Sequence, residues 1–439
     1  MKCIRRISLP CSLMFAVMSC SFASAFDGSN WPAWRGPNSN GYVAEANPPL
    51  NWSEQDNIKW KVTIEGEGSS TPIVWNDQVF VLSAIITDQK PETPPKKDPV
   101  ARTRPPETIV QFVVWCLERE TGKVEWKKVV HEAAPHEGRH SSTTYAASSP
   151  VTDGEHLYVL FGSYGVYCLK MDGTVVWRRD LGKMRTRKGW GEAVSPSLHD
   201  NRLVVNWDQE DQSHIYVLDT DSGKTVWEKT REEPTTWATP LIVPSQERTQ
   251  VITNGTNLVR SYDLESGNII WESKGTTLNA IPCPILFNEQ VICMGGYRGN
   301  AAKSIPINST GNVESKVAWT FNQHTPYVPS PVLVDGRLYF TKSNKAILNC
   351  LDAKTGKPVF DLTRMPGLSN MYASPVAAND RIYFVSREGK TLVIDSADEF
   401  KVLATNSLAE GIDASPALAG NQIFMRSKTS LYCIEEKGK

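Results

Sequence analysis

The stretch Val217-Leu218-Asp219-Thr220-Asp221-Ser222-Gly223-Lys224-Thr225-Val226-Trp227 decides the fold, because its pattern recurs. An apolar run closes on an acidic residue, a Ser/Thr-Gly turn follows, and a last short run ends on Trp. The same events run from Thr121-Gly122 to Trp126, from Asp172-Gly173 to Trp177 and from Ser266-Gly267 to Trp271. Later copies decay: Trp319 lacks the turn, and Thr355-Gly356 leads to Phe360. Glycine suits the positive-φ position of a tight turn. A Trp on an outer strand can fill the wedge between two neighbouring sheets, burying a large apolar area. Trp60, Trp126, Trp177, Trp227, Trp271 and Trp319 therefore read as structural.

A second marker fixes the period. A Ser/Thr/Cys-Pro step occurs at Pro72, Pro150, Pro196, Pro240, Pro284, Pro331, Pro375 and Pro416, with spacings of 78, 46, 44, 44, 47, 44 and 41 residues. Each Pro opens a short apolar run, then a turn such as Asp335-Gly336, then a second run. Asp-Gly between apolar runs is a hairpin signal. Four short antiparallel strands per 41–47 residues predict an all-β, eight-bladed β-propeller of four-stranded blades. The last copy stops after three strands, at Tyr432-Cys433-Ile434, and Asn57 to Val62 offers the missing fourth, with Trp60 in register. This N-terminal strand is expected to close the ring and remove its open edges.

The 439 residues divide into a signal peptide at 1–25, an N-terminal extension at 26–56 and the propeller at 57–439. Lys2, Arg5 and Arg6 precede the short apolar stretch Ile7–Met18, and Ala23-Ser24-Ala25 is the small-x-small pattern of a cleavage site. Export follows, to the periplasm or the exterior; Val17-Met18-Ser19-Cys20 leaves lipid anchoring at Cys20 as the alternative. A net charge of −1 argues against a nucleic-acid partner. No apolar run is long enough to leave a transmembrane helix in the mature chain. Cys116, Cys168, Cys350 and Cys433 share a slot that Val217 fills in another copy, which marks them as small buried hydrophobes. Cys283 and Cys293 flank a hairpin, where pairing stays open. Residues 87–108 are Pro-rich and basic, favouring an extended or disordered insertion.

The acidic-x-x-Ser/Thr-Gly-x-x-x-Trp turns, over about residues 57–434, resemble the docking motif of quinoprotein (PQQ-type) eight-bladed propellers. The repeat is also similar to that of the outer-membrane assembly propeller lipoprotein BamB, which has no cofactor. Asn30-Trp31-Pro32-Ala33-Trp34-Arg35-Gly36-Pro37 resembles the start of secreted bacterial PQQ-like repeat proteins. These resemblances imply a fold; function has to come from a site.

Loops of a propeller gather on one face around the channel. The candidates there are His140, Tyr145, Tyr164, Trp190, Glu192, Trp207, Asp208, Trp237, Tyr297, Arg298, Tyr327 and Tyr372. An aromatic and charged mouth suits a protein, peptide or glycan ligand. The expected function is a non-catalytic exported binding or scaffold propeller, acting as a monomer, with no cofactor and no catalytic residues assigned. The alternative is a PQQ- and Ca²⁺-dependent oxidoreductase. Asp208, Glu210 and Asp211 beside Trp207 are its weak metal candidates, since Ca²⁺ needs hard oxygen ligands. A solvated acidic loop is the plainer reading of 206–211. His131, His136 and His140 are spaced for metal ligation but read more simply as a polar loop.

Overall fold

The computed structural model describes residues 28–438, so the leader and Cys20 readings fall outside the described residues. Eight four-stranded antiparallel sheets form the ring. The first blade comprises Ile73–Trp75, Gln78–Ile86, Val110–Glu118 and Val124–Ala133. Its inner edge lies at the channel and its outer edge carries Trp126. The last blade takes Ala417–Ala419, Gln422–Arg426 and Ser430–Glu435 from the C-terminal end and Ile58–Thr63 from the N-terminal end. Trp60 stands opposite Cys433 in that closing pair.

The recurring motif now has a physical reading. The closing acid accepts from the turn: Asp219 takes the Ser222 amide (3.0 Å) and hydroxyl (2.5 Å), and Asp263 and Asp352 do the same with Ser266 and Thr355. The next residue's carbonyl accepts the indole N–H of the preceding blade's Trp, as in Trp227 to Leu264 (2.7 Å) and Trp319 to Ala353 (3.0 Å). The turn glycine lies flat on that same indole. A Cβ on Gly267 would stand 2.6 Å from the Trp227 ring, and one on Gly356 2.5 Å from Trp319. The thiol slot is the residue directly across the strand pair from the Trp: Cys116 faces Trp126, Cys168 faces Trp177 and Val217 faces Trp227.

Trp271 departs from the pattern. The fifth blade (Ile285–Phe287, Gln290–Gly295, Ala301–Pro306, Trp319–Phe321) sends Gly311–Asn312 across to pair parallel with the outer strand Ile269–Lys274. Trp271 is sealed beneath that strand and donates to Gln250 Oε1 (3.0 Å). All six described cysteines are free and buried, Cys283 and Cys293 included.

At the inner rim the Ser/Thr/Cys-Pro steps form a belt. The amide of each pre-proline residue donates to the side chain of its counterpart one blade on: Thr71 to Ser149, Ser149 to Ser195, Ser195 to Thr239, Thr239 to Cys283, Cys283 to Ser330, Ser330 to Ser374 and Ser374 to Ser415, at 2.9–3.2 Å. The Thr71 hydroxyl is left without a partner. The belt therefore opens between Ser415 and Thr71, at the inner rim between the last blade and the first.

The N-terminal extension fills the channel. Trp31 bridges to Val74, the Thr152 amide donates to the Pro32 carbonyl, and Tyr42–Val43 pairs parallel with the inner strand Val376–Ala378. Buried Arg35 crosses to the carbonyls of Pro331 (2.5 Å) and Pro375 (2.8 Å). The insertion at 87–108 takes the extended alternative, without strand or helix, and docks on its neighbour: the Arg102 amide donates to Lys188 O (2.8 Å), and the Thr103 hydroxyl to Gly189 O. Composition cannot show such docking bonds.

Trp227→Ala should cost roughly 3–5 kcal/mol of unfolding free energy, the range for a buried aromatic. Gly267→Ala should cost about 1–3 kcal/mol through overpacking against the ring. Gly311→Ala, whose Cβ meets nothing within 4 Å, should cost no more than about 1–2 kcal/mol for its positive φ. Urea denaturation of the three variants checks the order.

Candidate functional site

The interblade connections converge on a cavity of about 420 Å³ at the loop face. Each connection ends on a belt residue, so rings a few positions upstream are held in place. Trp190 lies 6.4 Å from Trp237 at 32°, and 6.3 Å edge-on from Tyr297. Tyr297 stacks on Tyr327 at 4.9 Å, and His140 meets the edge of Trp190 at 6.1 Å. The Trp237 indole donates to Gly191 O (2.8 Å), and the His140 amide to Trp190 O (3.0 Å), tying adjacent connections together. Tyr372 completes the wall, with Arg387 4.3 Å above its ring. From the extension, Trp34 also lines the cavity. Six sequence candidates thus meet in one place: His140, Trp190, Trp237, Tyr297, Tyr327 and Tyr372. Arg298 caps the rim over Tyr297 (5.4 Å).

Tyr145, Tyr164 and Glu192 sit elsewhere, around a cavity of about 30 Å³ that also contains Glu137. Glu192 accepts from the Ser163 amide and hydroxyl (both 2.6 Å); Glu137 accepts from the Thr186 amide (3.0 Å) and hydroxyl (2.7 Å). Burial pushes each carboxyl up to about 7, against the pull of those hydrogen bonds. The Ser148 hydroxyl beside them has no partner among the described residues. His136 borders the same cavity, its Nε2 donating to Met184 O (2.8 Å) and its Nδ1 3.3 Å from the Tyr164 hydroxyl, while His131 lies in the outer strand Val124–Ala133 and His140 bonds Ser142.

Trp207 and Asp208 are not on the ligand face. Trp207 ends the strand Arg202–Trp207 and is buried between blades, edge-on to Tyr216 at 6.4 Å. Asp208 forms a fully buried pair with Arg231 (2.7 Å) and also accepts from Thr236 (2.6 Å) and Asn206 (3.1 Å). Glu210 accepts from Thr235 and Asp211 pairs with exposed Arg185, so the three carboxylates diverge. The solvated-loop reading of 206–211 is corrected by this: Asn206 through Gln209 are interior.

A quinone with Ca²⁺ needs several hard oxygen ligands converging below a stacking ring. The rings are present. Asp413 is the one carboxylate among the described lining residues, and Arg387 engages both its oxygens. The donor set does not fit that pair. Sequence reasoning passed over Asp413 and Trp34 as site elements. The Pro-step spacing was the available signal for the first, since it lies three residues before Pro416.

Comparison with known proteins gives a consistent picture. Residues 110–361 match the family described as outer membrane protein assembly factor BamB. BamB from Moraxella catarrhalis superposes with a TM-score of 0.54 at 14% identity, over 82% of this chain and 99% of that one. A quinohemoprotein alcohol dehydrogenase from Comamonas testosteroni superposes at 0.67 and 10% identity, over 95% and 82%. A europium-containing methanol dehydrogenase gives 0.67 and 10%, over 93% and 98%. Identities this low speak for the fold alone. Curated protein sequences give no match.

The two high-pKa carboxyls predict a pH dependence. Between about pH 4.5 and 7 the folded chain holds protons that the unfolded chain has released, so stability present at pH 5 is lost as pH rises through about 7. Glu192→Gln should flatten that loss and raise stability at pH 8 by roughly 1–3 kcal/mol. Melting temperatures of both proteins across pH 5–8 provide the check.

Proposed function

The chain belongs to the family of the outer membrane protein assembly factor BamB, and from that premise we propose that it is an exported, non-catalytic propeller that binds a partner in its aromatic mouth. The observation that carries this reading is the cavity itself, walled by the rings of Trp190, Trp237, Tyr297, Tyr327 and Tyr372. Aromatic walls interspersed with hydroxyls are a binding surface. Catalysis would further need an acid, base or nucleophile poised against the rings; the lining carboxylate is tied to Arg387 and the His140 imidazole is engaged by the Ser142 hydroxyl. The family name, that of an outer membrane assembly factor, supports a role at the cell envelope. Among the described residues no helix is long and apolar enough to cross a membrane. The partner is a protein, peptide or glycan presented there.

The competing reading, a quinone-dependent oxidoreductase, draws on the stacked rings and on the dehydrogenase neighbours in fold. It calls for Ca²⁺ ligands that would have to be recruited away from their present partners.

The double variant Trp190→Ala/Tyr297→Ala should keep the melting temperature within a few degrees and release the partner that the wild-type chain retains from native envelope extract. Added PQQ with Ca²⁺ should leave tryptophan emission unchanged and an artificial electron acceptor unreduced. Saturable quenching coupled to dye reduction, lost in Trp190→Ala, would reverse the assignment to the oxidoreductase.

A further inference from the structure

Around the aromatic cavity, charges fall into two groups. Arg139, Arg185 and Arg387 are each neutralised, by Glu67, Asp211 and Asp413. Arg102, Arg187, Lys188 and Arg298 are not: none of the four forms an ion pair among the described residues. They are near neighbours. Burial and the charges of Arg102, Arg298 and Arg187 together lower the Lys188 ammonium below its ordinary value. Lys188 stands 5.5 Å over the Trp190 ring and Arg298 5.4 Å over Tyr297, so both cations flank the Trp190–Tyr297 edge contact. The Arg187 Nε is buried with no acceptor.

The chain also constrains this cluster. Lys188 is held at φ 57°, a conformation that non-glycine residues rarely adopt. The Pro-rich insertion fixes it there, through the Arg102 amide on Lys188 O and the Thr103 hydroxyl on Gly189 O. Strained backbone that surrounding structure over-determines is a mark of functional positions. An insertion from one blade thus arranges cations on the connection of the next.

Like charges gathered without a counter-ion favour an anionic ligand, and a cation would meet ring faces already covered by Lys188 and Arg298. The lining separates two kinds of anion. Apart from rings, alanines and Asp413, which Arg387 neutralises, it offers hydroxyls, such as Ser142, Thr143 and Ser374, with Ile281 and Val328 as its larger aliphatic side chains. Peptide capture uses free strand edges or apolar side-chain pockets. Here the extension already pairs with two inner strands, at Val74 and at Val376–Ala378. Flat rings interspersed with hydroxyls match the C–H faces and hydroxyl edges of sugar rings. We infer that the mouth binds an acidic saccharide, its rings stacked on Trp190, Trp237 and Tyr297 and its carboxylate or sulfate groups held by Arg187, Lys188 and Arg298. The assignment rests on the binding function proposed above and names its ligand.

The test titrates the mature chain with tri-galacturonate and with a chondroitin sulfate tetrasaccharide, following tryptophan emission and heat. Maltotriose is the neutral control and tetraglutamate the acidic peptide control. At least one acidic saccharide should bind saturably, about tenfold or more tighter than maltotriose, and weaken by a similar factor when salt is raised to screen the charges. Lys188→Glu and, separately, Arg298→Glu should each lower that affinity about tenfold with the melting temperature unchanged. Failure of both acidic saccharides, equal binding of maltotriose, or insensitivity to both charge reversals would overturn the inference. Tighter binding of tetraglutamate would also overturn it while leaving the binding function standing. If no probe binds and Trp190→Ala/Tyr297→Ala still retains the envelope partner, both readings fail.

Discussion

Seven hydrogen bonds of one kind set the bore of the ring. Each runs from the amide before a proline to the hydroxyl or thiol at the same place one blade further on, from Thr71 round to Ser415. Proline explains the motif: it cannot donate, so the preceding amide is the last free donor before the inner strand begins. A buried amide must find an acceptor. The side chain of the next blade supplies it at a fixed distance, and repetition of that distance gives the ring its radius. At the outer rim the indole–glycine contacts set the angle between blades. With spacing fixed inside and angle fixed outside, the blades have little freedom left.

The site inherits its geometry from the belt. Trp237, Tyr327 and Tyr372 lie three or four residues before their prolines, so each ring hangs from a backbone anchored at the next turn of chain. Trp190 is anchored twice, through its own carbonyl to His140 and through the Gly191 carbonyl to the Trp237 indole. Loops that would otherwise vary are therefore held as a rigid aromatic wall. Where the repeat relaxes, another device takes over. At Trp271 an added strand covers the indole, and the last blade takes its outer strand, Ile58–Thr63, from the other end of the chain.

The architecture was legible in the sequence because both of its couplings are local signatures repeated in register. Pro steps mark the inner rim, and turn-to-Trp motifs mark the outer. Most aromatic members of the site were legible for the same reason, being a short count from a visible proline; Tyr297 instead sits in the loop between the second and third strands of its blade. Trp207 and Asp208 were not. Their polar surroundings in 206–211 look like a loop, and the residue that makes them interior, Arg231, lies at the end of the next strand but one. Pairing across a sheet is invisible to a linear reading. For the 87–108 insertion the composition left extended and disordered open; it is extended, and two hydrogen bonds to Lys188 and Gly189 that composition cannot show attach it. Nor does a linear reading reveal that Arg187 and Lys188 have no ion-pair partner among the described residues.

Arg35 and its neighbours carry a consequence for how any polymer could be handled. Because the segment from Trp31 to Val43 spans the bore from the first two blades to the sixth and seventh, the mouth is the open end of a blind well. A long chain cannot thread through it. Only a terminus, or a branch projecting from the chain, can reach the rings, and it must leave by the way it came. Such a well recognises ends and side groups, and holds a strand at one point without sliding along it. It is the geometry of a tether.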